Sequence, residues 1–193
     1  MSQDKIYDVM MKATSLADAG DFMGAVEMAE ELIKEYPDFV PTLCFIGDMY
    51  LHLGSPVMAI DSLEKAVNYK PDFYQSHYLL GCALGRTMSF QRAIHHLRIA
   101  DKLEPNHTEI NRNLGWMLCM IGELTEGSPP SAELNKAIKI DPTNSLAYND
   151  MAVSYLVGKS KSPQKAKLWF EKALKLNPQS EFIRNTYESF KIG

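Results

Sequence analysis

Two adjacent histidines, His95 and His96, stand in the stretch FQRAIHHLRIADKLEP, residues 90–105. Imidazole is the commonest metal ligand, so the pair invites a metal site. Helical geometry argues against one. Neighbours on a helix point about 100° apart, and helical metal-binding pairs sit at i and i+4. His52, His77 and His107 belong to other segments, so no metal set is expected. Cys44, Cys82 and Cys119 could form a row of reactive thiols, one per segment. They fall at successively later turns of helices whose axes would lie about 8–10 Å apart, which disfavours a bridge. The number is odd and no CxxC is present, so a disulfide framework or a zinc knuckle is not expected. The cysteines read as small, reduced hydrophobes. No GxSxG, HExxH, phosphate loop or GxGxxG occurs, and the carboxylates are scattered. No catalytic residue, cofactor or metal is therefore expected, and the chain reads as a non-enzyme.

Composition agrees with a soluble globular chain of 193 residues, 46% hydrophobic and 23% charged. The net charge of −4 argues against a nucleic-acid partner. No stretch approaches the roughly 18 apolar residues of a membrane span, and the N-terminal MSQDKIYDVMMKATSLADAGD lacks a basic then apolar leader. A cytoplasmic location without membrane contact is expected. Charge is uneven: residues 1–110 carry 16 acids and 9 bases, residues 111–193 carry 8 acids and 11 bases. Lys159, Lys161, Lys165, Lys167, Lys172 and Lys175 concentrate the positive charge. Weak self-association through an acidic N-terminal and a basic C-terminal end is one expectation.

The elements that must position all these residues are repeats. Pro37, Pro71, Pro105, Pro142 and Pro178 are spaced by 34, 34, 37 and 36. The words before them align as FMGAVEMAEELIKEYP, PVMAIDSLEKAVNYKP, FQRAIHHLRIADKLEP, GSPPSAELNKAIKIDP and PQKAKLWFEKALKLNP. Each has an apolar period near 3.6 and is closed by proline, the pattern of a helix that stops there. The preceding half of each unit is helical as well. Ala13, Gly47, Gly81, Gly115 and Ala152 share one register in it. A mid-helix glycine costs about 1 kcal/mol relative to alanine, so three at one register imply close helix approach. Leu80, Leu84, Leu97, Leu114, Leu118, Leu134 and Phe170 are expected to fill the seam. Ser55-Pro56 and Ser162-Pro163 read as helix starts, Asp38, Asp72 and Asn106 as caps, and Gly20, Gly54 and Gly122 as turns.

This 34-residue helix–turn–helix skeleton resembles the tetratricopeptide repeat. Five units are placed at 6–39, 40–73, 74–107, 108–144 and 145–180, with a capping helix at 181–192, all in a single domain spanning 1–193. The resemblance implies an all-α, right-handed superhelical solenoid. Three departures stand out. The first unit is weak at Lys12 and Leu32, the fourth has about three extra residues around Pro130, and the fifth has two more in GKSKSP.

The resemblance also implies where partners bind: on the concave wall made by the first helix of each unit. The matching positions are Met10 and Met11, then Phe45, Asp48 and His52, then Tyr78, Cys82 and Arg86. Arg112, Asn113, Trp116 and Met120 follow, and then Asn149. Aromatic residues and arginine concentrate interface energy, asparagine suits a peptide backbone, and methionine adapts to shape. One family sub-class clamps the C-terminal carboxylate of chaperones with lysine, asparagine and arginine. Here the comparable positions hold Met10, Thr14, Phe45, Gln75 and Leu79, so that clamp is missing. The expected function is a non-catalytic scaffold that holds a peptide or helix of a partner protein. The alternative is a cytosolic secretion-type chaperone that shields a hydrophobic client segment.

Overall fold

The computed structural model describes residues 3–121, 131–157 and 161–190. Among the described residues there are eleven helices and no strands. They form two compact units, Met1–Leu103 and Glu104–Gly193. The first unit holds three helical hairpins: α1 (Gln3–Asp18) with α2 (Phe22–Glu35), α3 (Val40–His52) with α4 (Pro56–Tyr69), and α5 (Tyr74–Arg86) with α6 (Phe90–Leu103). The second holds α7 (Thr108–Ile121) with α8 (Ser131–Ile140) and α9 (Ser145–Val157) with α10 (Pro163–Leu176), followed by α11 (Glu181–Ser189). No helix among the described residues is long and apolar enough to cross a membrane.

Size matching across each hairpin explains the small-residue register. A Cβ built on Gly47 would stand 2.5 Å from Leu63 Cγ on α4. On Gly81 it would stand 2.7 Å from Leu97 Cγ, and on Gly115 2.7 Å from Leu134 Cγ. All three leucines are fully buried. The partner lies 16 residues on in the first two cases and 19 in the third, which absorbs the extra residues of the fourth unit. In the first hairpin Ala13 takes the glycine register and Ala29 the leucine register, and both are fully buried. In the last, Ala152 shares a cluster with Phe170. Glycine thus faces a branched leucine, and where alanine takes the register the opposite position holds a small residue or a flat ring. Leu80, Leu84, Leu114 and Leu118 are buried as expected.

Turns and caps follow the sequence less closely. Gly20 and Gly54 adopt positive φ of 85° and 71° between their helices. The third hairpin puts Met88 at the same place, with φ 60° and 76% exposure. Gly122 lies outside the described residues, as do Pro130 and Lys159. Asp38 and Asp72 do not cap: the cap positions of α3 and α5 are Phe39 and Phe73, without a side-chain bond. Asn106 sits in a turn at φ 69°. Ser55 and Ser162 do occupy the cap positions of α4 and α10, with proline following, but their hydroxyls make no cap bond. The side-chain caps are Asp21 on α2, Asn144 ahead of α9 and Ser180 on α11, accepting from Gly24 N, Ala147 N and Ile183 N. The helix α8 is described over ten residues, Ser131–Ile140; its expected late start lies at residues outside the described ones.

Candidate functional site

In the first unit the first helices of the hairpins form a row. The helix α3 packs on α5, and the Thr42 hydroxyl of α3 meets the Met10 sulfur of α1 at 3.2 Å. The Cys44 thiol lies 3.3 Å from the Ser76 hydroxyl of α5. The face of α3 turned away from the Gly47–Leu63 seam carries Pro41, Phe45, Asp48 and His52, at i, i+4, i+7 and i+11. At 34-residue spacing the stripe on α5 is Gln75, the buried Leu79, Cys82 and Arg86, with Tyr78 beside it, and on α1 it is Tyr7, Met11 and Thr14. Tyr7, Met11, Thr14, Pro41, His52, Gln75 and Arg86 are exposed, whereas Met10, Phe45, Asp48, Tyr78 and Cys82 are half-buried. The row therefore presents a half-covered wall of aromatic, apolar and polar side chains.

Several of these residues also have structural duties. Phe45 packs partly on the cluster of Ala25, Val26, Ala29, Ile46 and Met49. The His52 ring stacks on Phe22, with centroids 4.9 Å apart. Arg86 donates to the Leu51 carbonyl at the end of α3. The Asp48 carboxylate makes no hydrogen bond or ion pair among the described residues. Burial pushes its carboxyl up, and the charge of His52 one turn on works in the opposite direction.

In the second unit the wall residues of α7 are Arg112, Asn113, Trp116 and Met120. Arg112 Nη1 donates to Asp150 Oδ2 of α9 at 2.7 Å, and Nε donates to Glu109 Oε2 at 2.9 Å. Asn144 Nδ2 holds the other Glu109 oxygen at 2.7 Å. Burial alone would lower the guanidinium; the charges of Asp150 and Glu109 more than reverse this and hold it protonated. Burial pushes the Asp150 carboxyl up, against the pull of Arg112. Arg112 is thus committed to its own chain. Asn113 Nδ2 donates back to the Glu109 carbonyl at 2.9 Å. Trp116 is half-buried and leans on the cluster around Val153 and Phe170. Met120 is 42% exposed.

Asn149 departs from its expected wall position. It is only 2% exposed, and its Nδ2 donates to Asp150 Oδ1 at 3.2 Å. The reason is that α9 is covered nearly all round: Ala147 and Asn149 through Val153 are all buried. Asn149 therefore supports the Arg112–Asp150 pair and cannot touch a partner.

The histidines hold a feature that sequence reasoning missed. His77 Nδ1 of α5 lies 2.9 Å from His96 Nδ1 of α6, and His77 Nε2 lies 3.0 Å from the Pro71 carbonyl. The carbonyl can only accept, so His77 carries its proton on Nε2 and His96 donates through Nδ1. Burial and the neighbouring His77 push the His96 imidazole down to about 4. Register alone gave no signal for this pair: an antiparallel hairpin that sets Gly81 on Leu97 puts Asp101 level with His77, and the two histidines meet through side-chain reach. Among the described residues no group of three His, Cys, Asp or Glu side chains could hold a metal ion. None of the three cysteines is in a disulfide; burial pushes the Cys44 and Cys119 thiols up to about 11 and about 12.

A cavity of about 460 Å³ lies between α1 and α2, lined by Lys5, Val9, Glu27, Met28, Leu32 and Glu35 among others. Lys5 pairs with Glu35 at 2.7 Å across it. None of the expected wall residues lines this cavity.

Tetratricopeptide repeat models match residues 10–76 and 146–180, together more than half of the chain. A comparison with curated protein sequences gives no match. Among solved structures, a MamA crystal structure is similar at 29% identity, covering 86% of this chain and 94% of that one, with a TM-score of 0.71. YrrB, described as a TPR protein with an unusual peptide-binding site, is similar at 20% identity, 93% and 90% coverage and a TM-score of 0.69. TTC0263, a TPR protein of Thermus thermophilus, is similar at 20% identity, 95% and 97% coverage and a TM-score of 0.75. The matched repeats and the packed helical hairpins lead to one conclusion: this chain belongs to the tetratricopeptide repeat family.

Proposed function

We propose that the chain is a protein-interaction scaffold whose first-helix walls hold a peptide or helix of another protein. One observation carries this reading. Each unit buries its leucines and alanines in the hairpin seams, yet leaves Phe45 and Tyr78, or Trp116, half-exposed on the face turned away from them. Half-covered aromatics on a rigid helical row are the side chains that anchor interfaces, at about 2 kcal/mol or more when central. Met11 and Met120 add exposed, adaptable apolar surface. The family and the fold support the same reading, and the similar protein YrrB is described by its peptide-binding site.

The test is a photo-crosslinking side chain placed at position 78 or 116, with Val57 on α4 as the control. Val57 is 69% exposed on a second helix. Adducts from cell extract are expected at 78 and 116 and not at 57. Excess unlabelled protein should compete them away, and a Phe45→Ala, Tyr78→Ala, Trp116→Ala variant should not. Equal adducts at 57 would move the binding surface off the walls.

The charge asymmetry supports a second, smaller proposal. Weak end-to-end association through the acidic first hairpin and the basic α10 would appear in light scattering at low salt and vanish at high salt. A monomer at both salt levels removes it.

A further inference from the structure

The centre of the first unit's wall carries a carboxylate that, among the described residues, makes no side-chain hydrogen bond or ion pair and feels only the charge of His52 one turn on. Asp48 lies on α3, the middle helix of the row, and is half-buried. The equivalent residues on either side, at 34-residue spacing, are Thr14 on α1 and Cys82 on α5, neither a cation. The nearest wall arginine by register, Arg86, is spent on the Leu51 carbonyl. The Asp48 carboxylate accepts no hydrogen bond among the described residues, and the charge that stabilises its ionised form is that of His52, itself stacked on Phe22.

The second unit shows how this fold satisfies a wall carboxylate. There Arg112 reaches across from α7 and closes on Asp150 of α9 at 2.7 Å. In the first unit Glu31, Glu35, Asp61 and Glu64 each pair with a lysine or arginine, and all but the half-buried Glu64 are exposed. Asp48 has been taken halfway out of water without such compensation, which is unfavourable for an isolated charge and favourable for one that receives a partner's cation.

We infer that Asp48 is the receptor for a lysine or arginine side chain of the bound peptide, set beside an apolar residue that rests on Phe45. This rests on the wall reading above. Phe45 precedes Asp48 by three residues, about 4.5 Å along the helix axis, so adjacent peptide side chains can reach both. The guanidinium or ammonium replaces lost water around the carboxylate, and Phe45 and Tyr78 shield the pair. A peptide presenting a carboxylate at this place meets an unanswered negative charge and is rejected. Ligand selectivity in this unit is thus for a basic–apolar segment.

The experiment is selection of a phage-displayed random dodecapeptide library on the full chain and on Asp48→Asn, which keeps the side-chain shape. The strongest peptide is then synthesised and measured by fluorescence anisotropy. Lysine or arginine is expected at one fixed position in peptides selected on the wild type and not in those selected on Asp48→Asn. Affinity should fall about tenfold or more on Asp48→Asn, and equally when the basic residue is replaced by methionine. Once Asp48 is gone, the methionine replacement should cost nothing further. Selected peptides without a fixed basic residue, or losses that simply multiply, would overturn the inference while leaving the wall in place. Peptides that bind a Phe45→Ala, Tyr78→Ala variant as tightly as the wild type would overturn the wall reading itself, and so would the recovery of none.

Discussion

Gly47→Ala should destabilise the protein even though alanine is the better helix former. In a helix interior the exchange gains about 1 kcal/mol from propensity. Against this, the new Cβ would lie 2.5, 2.7 and 2.9 Å from Leu63 Cγ, Cδ2 and Cδ1. Comfortable carbon contacts are about 3.5–4.0 Å, so three atoms of a fully buried side chain must retreat by about 1 Å. Overpacking of this kind costs about 1–3 kcal/mol, leaving a net loss of up to about 2 kcal/mol. A double-mutant cycle separates the two effects. Leu63→Ala alone should cost about 2–5 kcal/mol through lost burial and a cavity. In that background Gly47→Ala meets no leucine, so it should become stabilising by about 1 kcal/mol. The coupling energy is then about 1–3 kcal/mol, the overpacking cost itself. Urea unfolding followed by helical circular dichroism reads all four proteins, with slopes compared as well as midpoints because repeat arrays can lose cooperativity. If Gly47→Ala stabilised equally with and without Leu63, close approach would not be the reason for the glycine register. Gly115→Ala should be the worst of the three equivalents, because its Cβ also meets the Leu134 backbone N at 3.1 Å, which cannot step aside.

Met88→Gly should raise the thermal midpoint, by about 1 kcal/mol of stability, because Met88 holds a left-handed turn that Gly20 and Gly54 make at no steric cost. An unchanged or lower midpoint would show that its exposed side chain contributes contacts. Asp150→Ala should cost about 3 kcal/mol or more by leaving the Arg112 guanidinium, 18% exposed, without its closest partner. The double replacement Arg112→Met, Asp150→Leu should recover much of that loss in a thermal melt. Stability should fall as pH drops from about 6.5 to about 4: the unfolded chain protonates His96 in that window and the folded chain resists. His96→Phe should flatten this slope, and above pH 7 the difference in stability between the two proteins should no longer change with pH. In the native state iodoacetamide at pH 8 should label Cys82 first, since burial keeps the Cys44 and Cys119 thiols protonated. Equal labelling of all three would refute the buried placement.

The sequence alone was enough to determine the helical hairpins, their register and the glycine–leucine seam. Each is a local or near-neighbour property, written in an apolar period of 3.6 and in prolines spaced by 34 to 37. It also located the half-exposed aromatics Phe45, Tyr78 and Trp116, because a residue's face on a helix follows from its number. Which wall side chains are free was decided only by the tertiary structure. Arg112 and Asp150 stand 38 residues apart, and only the packing of α7 on α9 brings them to 2.7 Å and withdraws both from solvent. The same holds for His77 and His96, and for Asp48, whose isolation depends on what neighbouring helices fail to place beside it. Periodicity fixes direction around one helix axis; charge pairing depends on side-chain reach between helices, and only the packed hairpins set that distance.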